Sequence, residues 1–123
     1  MGLDQFAIAI DKNGNKTNFA YWRKHPNLQG WMQNLWENKG RPGLTENYTQ
    51  DIVGNFNGIP LELNKDDLDD LEDAIRSSDL PHTTGFFFGS NSDDYYKEDD
   101  LRFVNLARQY LDDGYTVLYD SWW

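Results

Sequence analysis

The stretch Leu3-Asp4-Gln5-Phe6-Ala7-Ile8-Ala9-Ile10-Asp11-Lys12-Asn13-Gly14-Asn15 decides how the rest of the chain is read. Leu3–Ile10 alternates loosely and is rich in Phe and Ile, the pattern of a half-buried strand. Asn13-Gly14 supplies the positive φ angles of a tight turn, so a hairpin is predicted. Thr17–Arg23 is then the returning strand. Strict alternation places Phe19 and Tyr21 on one of its faces and Ala20 and Trp22 on the other.

Beyond the hairpin the period changes. Pro26 suits a first helical position, and Leu28, Trp31, Met32, Leu35 and Trp36 follow at i, i+3, i+4, i+7 and i+8. His25, just before Pro26, reads as a cap. Gly40, Pro42 and Gly43 end this helix. Residues 44–58 show no clear period and read as an irregular connection with one short element near Ile52-Val53. Asn64 is an N-cap signal with Asp67 three residues on, and Leu68, Leu71 and Ile75 share one face of a helix that runs to about Ser77. Phe86, Phe87 and Phe88, bounded by Gly85 and Gly89, predict a short strand. Ser92 or Asp93 starts a third helix reaching Asp113, with Leu101, Val104, Ala107 and Leu111 along one stripe. Gly114 stops it, and Tyr115–Trp123 is a final strand. The order β-β-α-loop-α-β-α-β predicts an α+β fold, a small antiparallel or mixed sheet packed with about three helices. No regular β-α alternation or Gly-rich strand-to-helix turn favours a dinucleotide fold or a phosphate-binding loop.

The 123 residues fit one compact domain, 1–123. With no Cys, disulfides, thiolate metal sites and a cysteine nucleophile are excluded. No apolar run is long enough to span a membrane and Met1–Asp4 lacks a basic, apolar leader, so a soluble protein made in a cytoplasm is expected. His25 and His82 are too far apart for metal-ligand spacing, Asp11–Asn15 has its Gly misplaced for a calcium loop, and no Ser sits in a nucleophile elbow. Neither a metal, a cofactor nor a catalytic set is predicted, and the balance is against an enzyme.

Charge is the informative feature. Of the formal −10, residues 1–42 carry six basic and three acidic side chains, a net of +3, and residues 43–123 carry five basic and eighteen acidic, a net of −13. Asp66, Asp67, Asp69, Asp70, Glu72 and Asp73 put six carboxylates within eight residues. On a helix that is about one charge per 2 Å of axis, against about 1.7 Å in duplex DNA. Such a surface repels nucleic acid and anionic lipid and attracts basic protein, which makes Asp66, Asp67, Asp69, Asp70 and Asp73 candidate partner-binding residues. The helix dipole and a solvated face account for the same residues. A second acidic cluster, Asp93, Asp94, Glu98, Asp99 and Asp100, opens the third helix. The alternative is a small-ligand module or enzyme, in which Trp22, Arg23, Lys24 and Phe86–Phe88 frame a pocket for a nucleotide or other anion. The aromatic residues exceed what a small core uses, so a partner surface and a homodimer both stay open.

Met1-Gly2-Leu3-Asp4, Tyr21-Trp22-Arg23-Lys24 leading into the Trp-bearing helix, Gly85-Phe86-Phe87-Phe88-Gly89-Ser90 and the acidic helix that follows together resemble a family of small, largely uncharacterised proteins of tailed bacteriophages, including those infecting cyanobacteria. The resemblance spans most of the chain apart from residues 40–60. It implies expression in the cytoplasm of an infected bacterium and brings no catalytic residues with it. In that setting the acidic surface points to a host protein with a basic or nucleic-acid-binding surface as partner.

Overall fold

The computed structural model describes residues 3–42, 58–81 and 93–122. Seven elements follow in chain order: β1 (Asp4–Ile10), β2 (Lys16–Arg23), α1 (Pro26–Asn38), β3 (Leu61–Leu63), α2 (Lys65–Arg76), α3 (Asp93–Asp112) and β4 (Thr116–Trp122). The strands form one antiparallel sheet in the order β2-β1-β4-β3. This is the α+β class that the hydrophobic periods predict.

Alternation along the strands sorts the two faces of the sheet. Gln5, Ala7 and Ala9 of β1 and Val117, Tyr119 and Ser121 of β4 are buried, while their neighbours Phe6, Ile8, Leu118 and Asp120 are only half-buried. The buried face meets Leu28, Met32 and Trp36 of α1, Leu68, Leu71 and Ile75 of α2, and Phe103, Val104 and Ala107 of α3 in one apolar core. All three described helices therefore cover the same side of the sheet.

The predicted hairpin is present, but its turn takes only Gly14 to positive φ (88°). The Asp11 carbonyl accepts from Gly14 N at 3.1 Å, and Asp11 N donates to the Asn15 carbonyl at 3.0 Å, so the loop has three residues. The Asp11 carboxylate accepts from Asn15 N and Asn13 N at 2.9 Å each, and these bonds, Asn15's first, hold its pKa below the usual carboxylate range.

One expectation about β2 is corrected. The register shifts between Ala7 and Ile8, a bulge that breaks the alternation. Phe19 consequently joins Ala20 and Trp22 on the helix side rather than standing with Tyr21. Its ring lies 5.8 Å from that of Phe103 and 4.9 Å from that of Tyr110. Strand β3 was not expected: three residues after Pro60 are too few to show a period, and pairing with β4 recruits them. The short element near Ile52-Val53 and the predicted strand at Phe86–Phe88 lie outside the described residues.

The predicted N-cap of α2 is confirmed as a reciprocal capping box between Asn64 and Asp67. The helices share one type of ending, in which the first residue past the C-cap enters the left-handed region and two backbone bonds close the last turn. In α1 and α3 that residue is Gly40 or Gly114, which has no Cβ to clash; in α2 it is Ser78 (φ 57°), with Ser78 N bonded to the Ile75 carbonyl at 3.2 Å and Asp79 N to that of Ala74 at 2.8 Å. Among the described residues no helix is long and apolar enough to cross a membrane.

Candidate functional site

Helix α2 turns Leu68, Leu71 and Ile75 into the core, which fixes where its carboxylates go. Asp66, Asp69, Asp70 and Asp73 stand at i, i+3, i+4 and i+7, one stripe on the side opposite the buried residues, and all four are exposed. Asp67 does not belong to that stripe. It is 8% exposed, its Oδ2 accepts from Asn64 N at 2.9 Å and from Lys39 Nζ at 2.6 Å, and its own N–H donates to Asn64 Oδ1 at 2.8 Å. The same Lys39 ammonium donates to the Glu62 carbonyl at 2.7 Å. Asp67 thus ties the start of α2 to the end of α1.

The remaining carboxylates divide again. Asp69 Oδ1 accepts from Arg108 Nη2 at 2.6 Å, and Glu72 accepts from Arg108 Nη1 and Arg76 Nε, each at 2.6 Å. The hydrogen bonds from Arg76 and then Arg108 hold the Glu72 pKa low. Asp66, Asp70 and Asp73 make no ion pair among the described residues. Asp70 also borders a surface groove of about 430 Å³ shared with Trp31, Asn34 and Asp79, in which no basic side chain takes part among the described residues. Of the second acidic cluster, Glu98 and Asp99 are exposed, Asp99 paired to Arg102 at 3.1 Å, and Asp100 is buried. The side chains of Asp93 and Asp94 lie outside the description.

Trp22, Arg23 and Lys24 do not converge. The Trp22 indole is 1% exposed and donates from Nε1 to Asp100 Oδ1 at 2.9 Å. Arg23 is on the surface, with Nη1 3.3 Å from Asp4 Oδ1. Lys24, also exposed, takes positive φ (57°) and gives its N–H to the Leu3 carbonyl at 2.8 Å. Phe86, Phe87 and Phe88 lie outside the described residues. Trp22 does border a cleft of about 250 Å³ with Phe19, Tyr21, Arg102 and Phe103, but neither Arg23 nor Lys24 lines it.

What the spacing did not reveal is a buried polar network beneath the sheet. His25 holds the N-cap position of α1 without capping it; its Nε2 instead lies 2.7 Å from Asp100 Oδ2, with both side chains at most 1% exposed. The Tyr96 ring stacks on the imidazole at 4.7 Å, and the Tyr96 hydroxyl donates to the Arg23 carbonyl. Gln5 accepts from His25 N at 2.8 Å and donates to the His25 carbonyl at 3.0 Å and the Tyr119 hydroxyl at 2.9 Å. That hydroxyl donates to Gln29 Oε1 at 2.5 Å, and burial pushes its pKa far up, so it stays a neutral donor. The network clamps α3 to the junction of β2 and α1. One signal pointed to it: Asp100 falls on the apolar stripe of α3, four residues before Val104, where a carboxylate needs a buried donor.

Among the described residues no group of three or more His, Asp or Glu side chains is placed to hold a metal ion. Comparison with protein-family models, curated proteins and solved structures gave no match.

Proposed function

We propose that this chain is an acidic binding protein whose α2 stripe docks on a basic protein surface and competes there with nucleic acid. The observation that carries the reading is the separation of roles within α2. Asp67 and Glu72 are committed to internal bonds and Asp69 shares Arg108 with Glu72, while Asp66, Asp70 and Asp73, on the same exposed stripe, pair with no described cation. The four carboxylates of the stripe, Asp69 among them with its charge shared by Arg108, stand about 3.5 Å apart along the helix axis, against about 3.4 Å between phosphates on one DNA strand. The groove beside Asp70 offers a seat for a lysine or arginine side chain between Asp70, Asp79 and Trp31. In the setting that the phage resemblance implies, the partner is a nucleic-acid-handling protein in the cytoplasm of the infected bacterium.

The test is affinity capture from bacterial lysate at low and high salt, comparing the natural chain with a variant carrying Asp66→Asn, Asp69→Asn, Asp70→Asn and Asp73→Asn. Asp67 is left in place because α2 needs it. The expected result is a basic protein held by the natural chain at low salt, released by high salt or duplex DNA, and not held by the variant. Equal retention by the two chains overturns the proposal.

A further inference from the structure

The three helices leave the other side of the sheet uncovered by any described element. Phe6, Ile8 and Leu118 run down its middle. Tyr21, 55% exposed, and Trp122, 59% exposed, are the two exposed large apolar side chains among the described residues, and both stand on this face. Solvated sheet faces ordinarily carry polar side chains at these positions, and exposed Trp and Tyr mark interfaces.

Charge on this face is arranged by margin. Lys16 and Arg23 lie on β2, one edge of the sheet, whereas Glu62 on β3, the opposite edge, and Asp120 on the adjoining β4 are acidic. The formal −10 of the chain therefore weighs little here: these four side chains balance, and Asp4 adds one negative charge, already paired to Arg23. A foreign partner of one sign would meet both attraction and repulsion. A second copy, turned about a twofold axis parallel to the strands, lays its basic margin over the acidic margin of the first, and the acidic margin over the basic one.

We propose that this sheet face, uncovered by any described element, is a homodimer interface, two copies stacked sheet on sheet with Lys16 of each on the margin that meets Glu62 of the other, two positions along the strands from its level and within reach of its long side chain. Burial raises the Asp120 pKa, and no described cation pairs with it in the single chain; the basic margin of a second copy supplies one. Strands of 8, 7, 7 and 3 residues about 4.8 Å apart give a face of about 400 Å² per copy, or about 800 Å² in all. Stable interfaces bury about 1,200–2,000 Å², so the dimer is weak and forms with concentration. The proposal is independent of the partner reading, because the α2 stripe lies on the opposite side of the molecule and stays free in the dimer.

Sedimentation velocity of the full chain from about 10 μM to about 1 mM tests this. The natural chain should move from monomer toward dimer across that range. Lys16→Glu and Glu62→Lys should each weaken dimerisation about tenfold or more, since each juxtaposes like charges twice. An equimolar mixture of the two variants should recover it, because every facing pair is then opposite in sign. Circular dichroism on each variant separates lost dimer from lost fold, and both substitutions are on exposed edge positions. A chain that stays monomeric throughout, variants that dimerise like the natural chain, or a mixture of folded variants that fails to recover each overturns the proposal.

Discussion

His25 and Asp100 stand 75 positions apart in the chain and meet at 2.7 Å between Nε2 and Oδ2, with Trp22 Nε1 on the other carboxylate oxygen. One side chain of α3 thereby holds the end of β2 and the N-cap position of α1 together. Truncating a buried acceptor takes a bond from each of its donors, here both Trp22 Nε1 and His25 Nε2 among the described residues. Asp100→Ala is expected to cost about 3–5 kcal/mol. The neighbouring Asp99→Ala, at an exposed position, should stay within about 0.5 kcal/mol of the natural chain. Urea unfolding followed by circular dichroism measures both, and similar midpoints for the two variants would show that the network does not clamp α3.

Ser78 closes α2 in the conformation that Gly40 and Gly114 adopt at the ends of α1 and α3. The left-handed region costs a residue with a Cβ about 1–2 kcal/mol, part of which glycine returns as chain entropy in the unfolded state. Ser78→Gly should therefore stabilise the fold by about 0.5–1 kcal/mol, read as a higher urea midpoint. A lower midpoint would mean that the Ser78 side chain contributes more than its backbone costs.

How far the sequence reaches is clear from these two sites. Elements whose signals are local were legible: the 3.6-residue period of α1, the Asn64-to-Asp67 cap of α2, and the Gly114 stop before β4 all depend on residues a few positions apart. The α2 stripe was legible as acidic, but the loss of Asp67 to Lys39 was not, since an ion pair 28 positions long leaves no period. The Phe19 bulge escaped for a related reason. Alternation is a rule about ideal strands, and only packing against Phe103 and Tyr110 decides where it breaks. Leu61–Leu63 is a strand because β4 lies beside it, a fact external to those three residues.

Acidity should act on stability in two opposite ways. The pKa of Glu72, held low by Arg76 and Arg108, lies below its value in the unfolded chain, so its stabilising contribution is present at neutral pH and is lost as pH falls through the folded value. Asp120 is raised by burial, so its contribution is fully present below the unfolded pKa and is lost as pH rises through the folded one. Glu72→Gln should consequently be less stable than the natural chain at pH 7, and Asp120→Asn more stable. Both differences should close on acidification below the ordinary carboxylate range. Urea midpoints across that pH range check the signs, and a destabilised Asp120→Asn at pH 7 would contradict the second.

Within α2 the carboxylates that fold the protein and those proposed to meet a partner can be separated by substitution. Asp67→Ala removes its half of the reciprocal cap and the acceptor of a half-buried ammonium bond, and is expected to cost about 1–2 kcal/mol. Asp66→Asn with Asp73→Asn removes two unpaired charges and should leave stability within about 0.5 kcal/mol, or raise it slightly by relieving repulsion along the stripe. The second pair should nevertheless weaken binding to a polylysine probe and flatten its salt dependence, measured by fluorescence anisotropy. On the proposed reading the field of the whole stripe adds to the seat beside Asp70, so the loss should grow with the number of charges removed. A double variant that binds as the natural chain does would place the attraction elsewhere on the acidic surface.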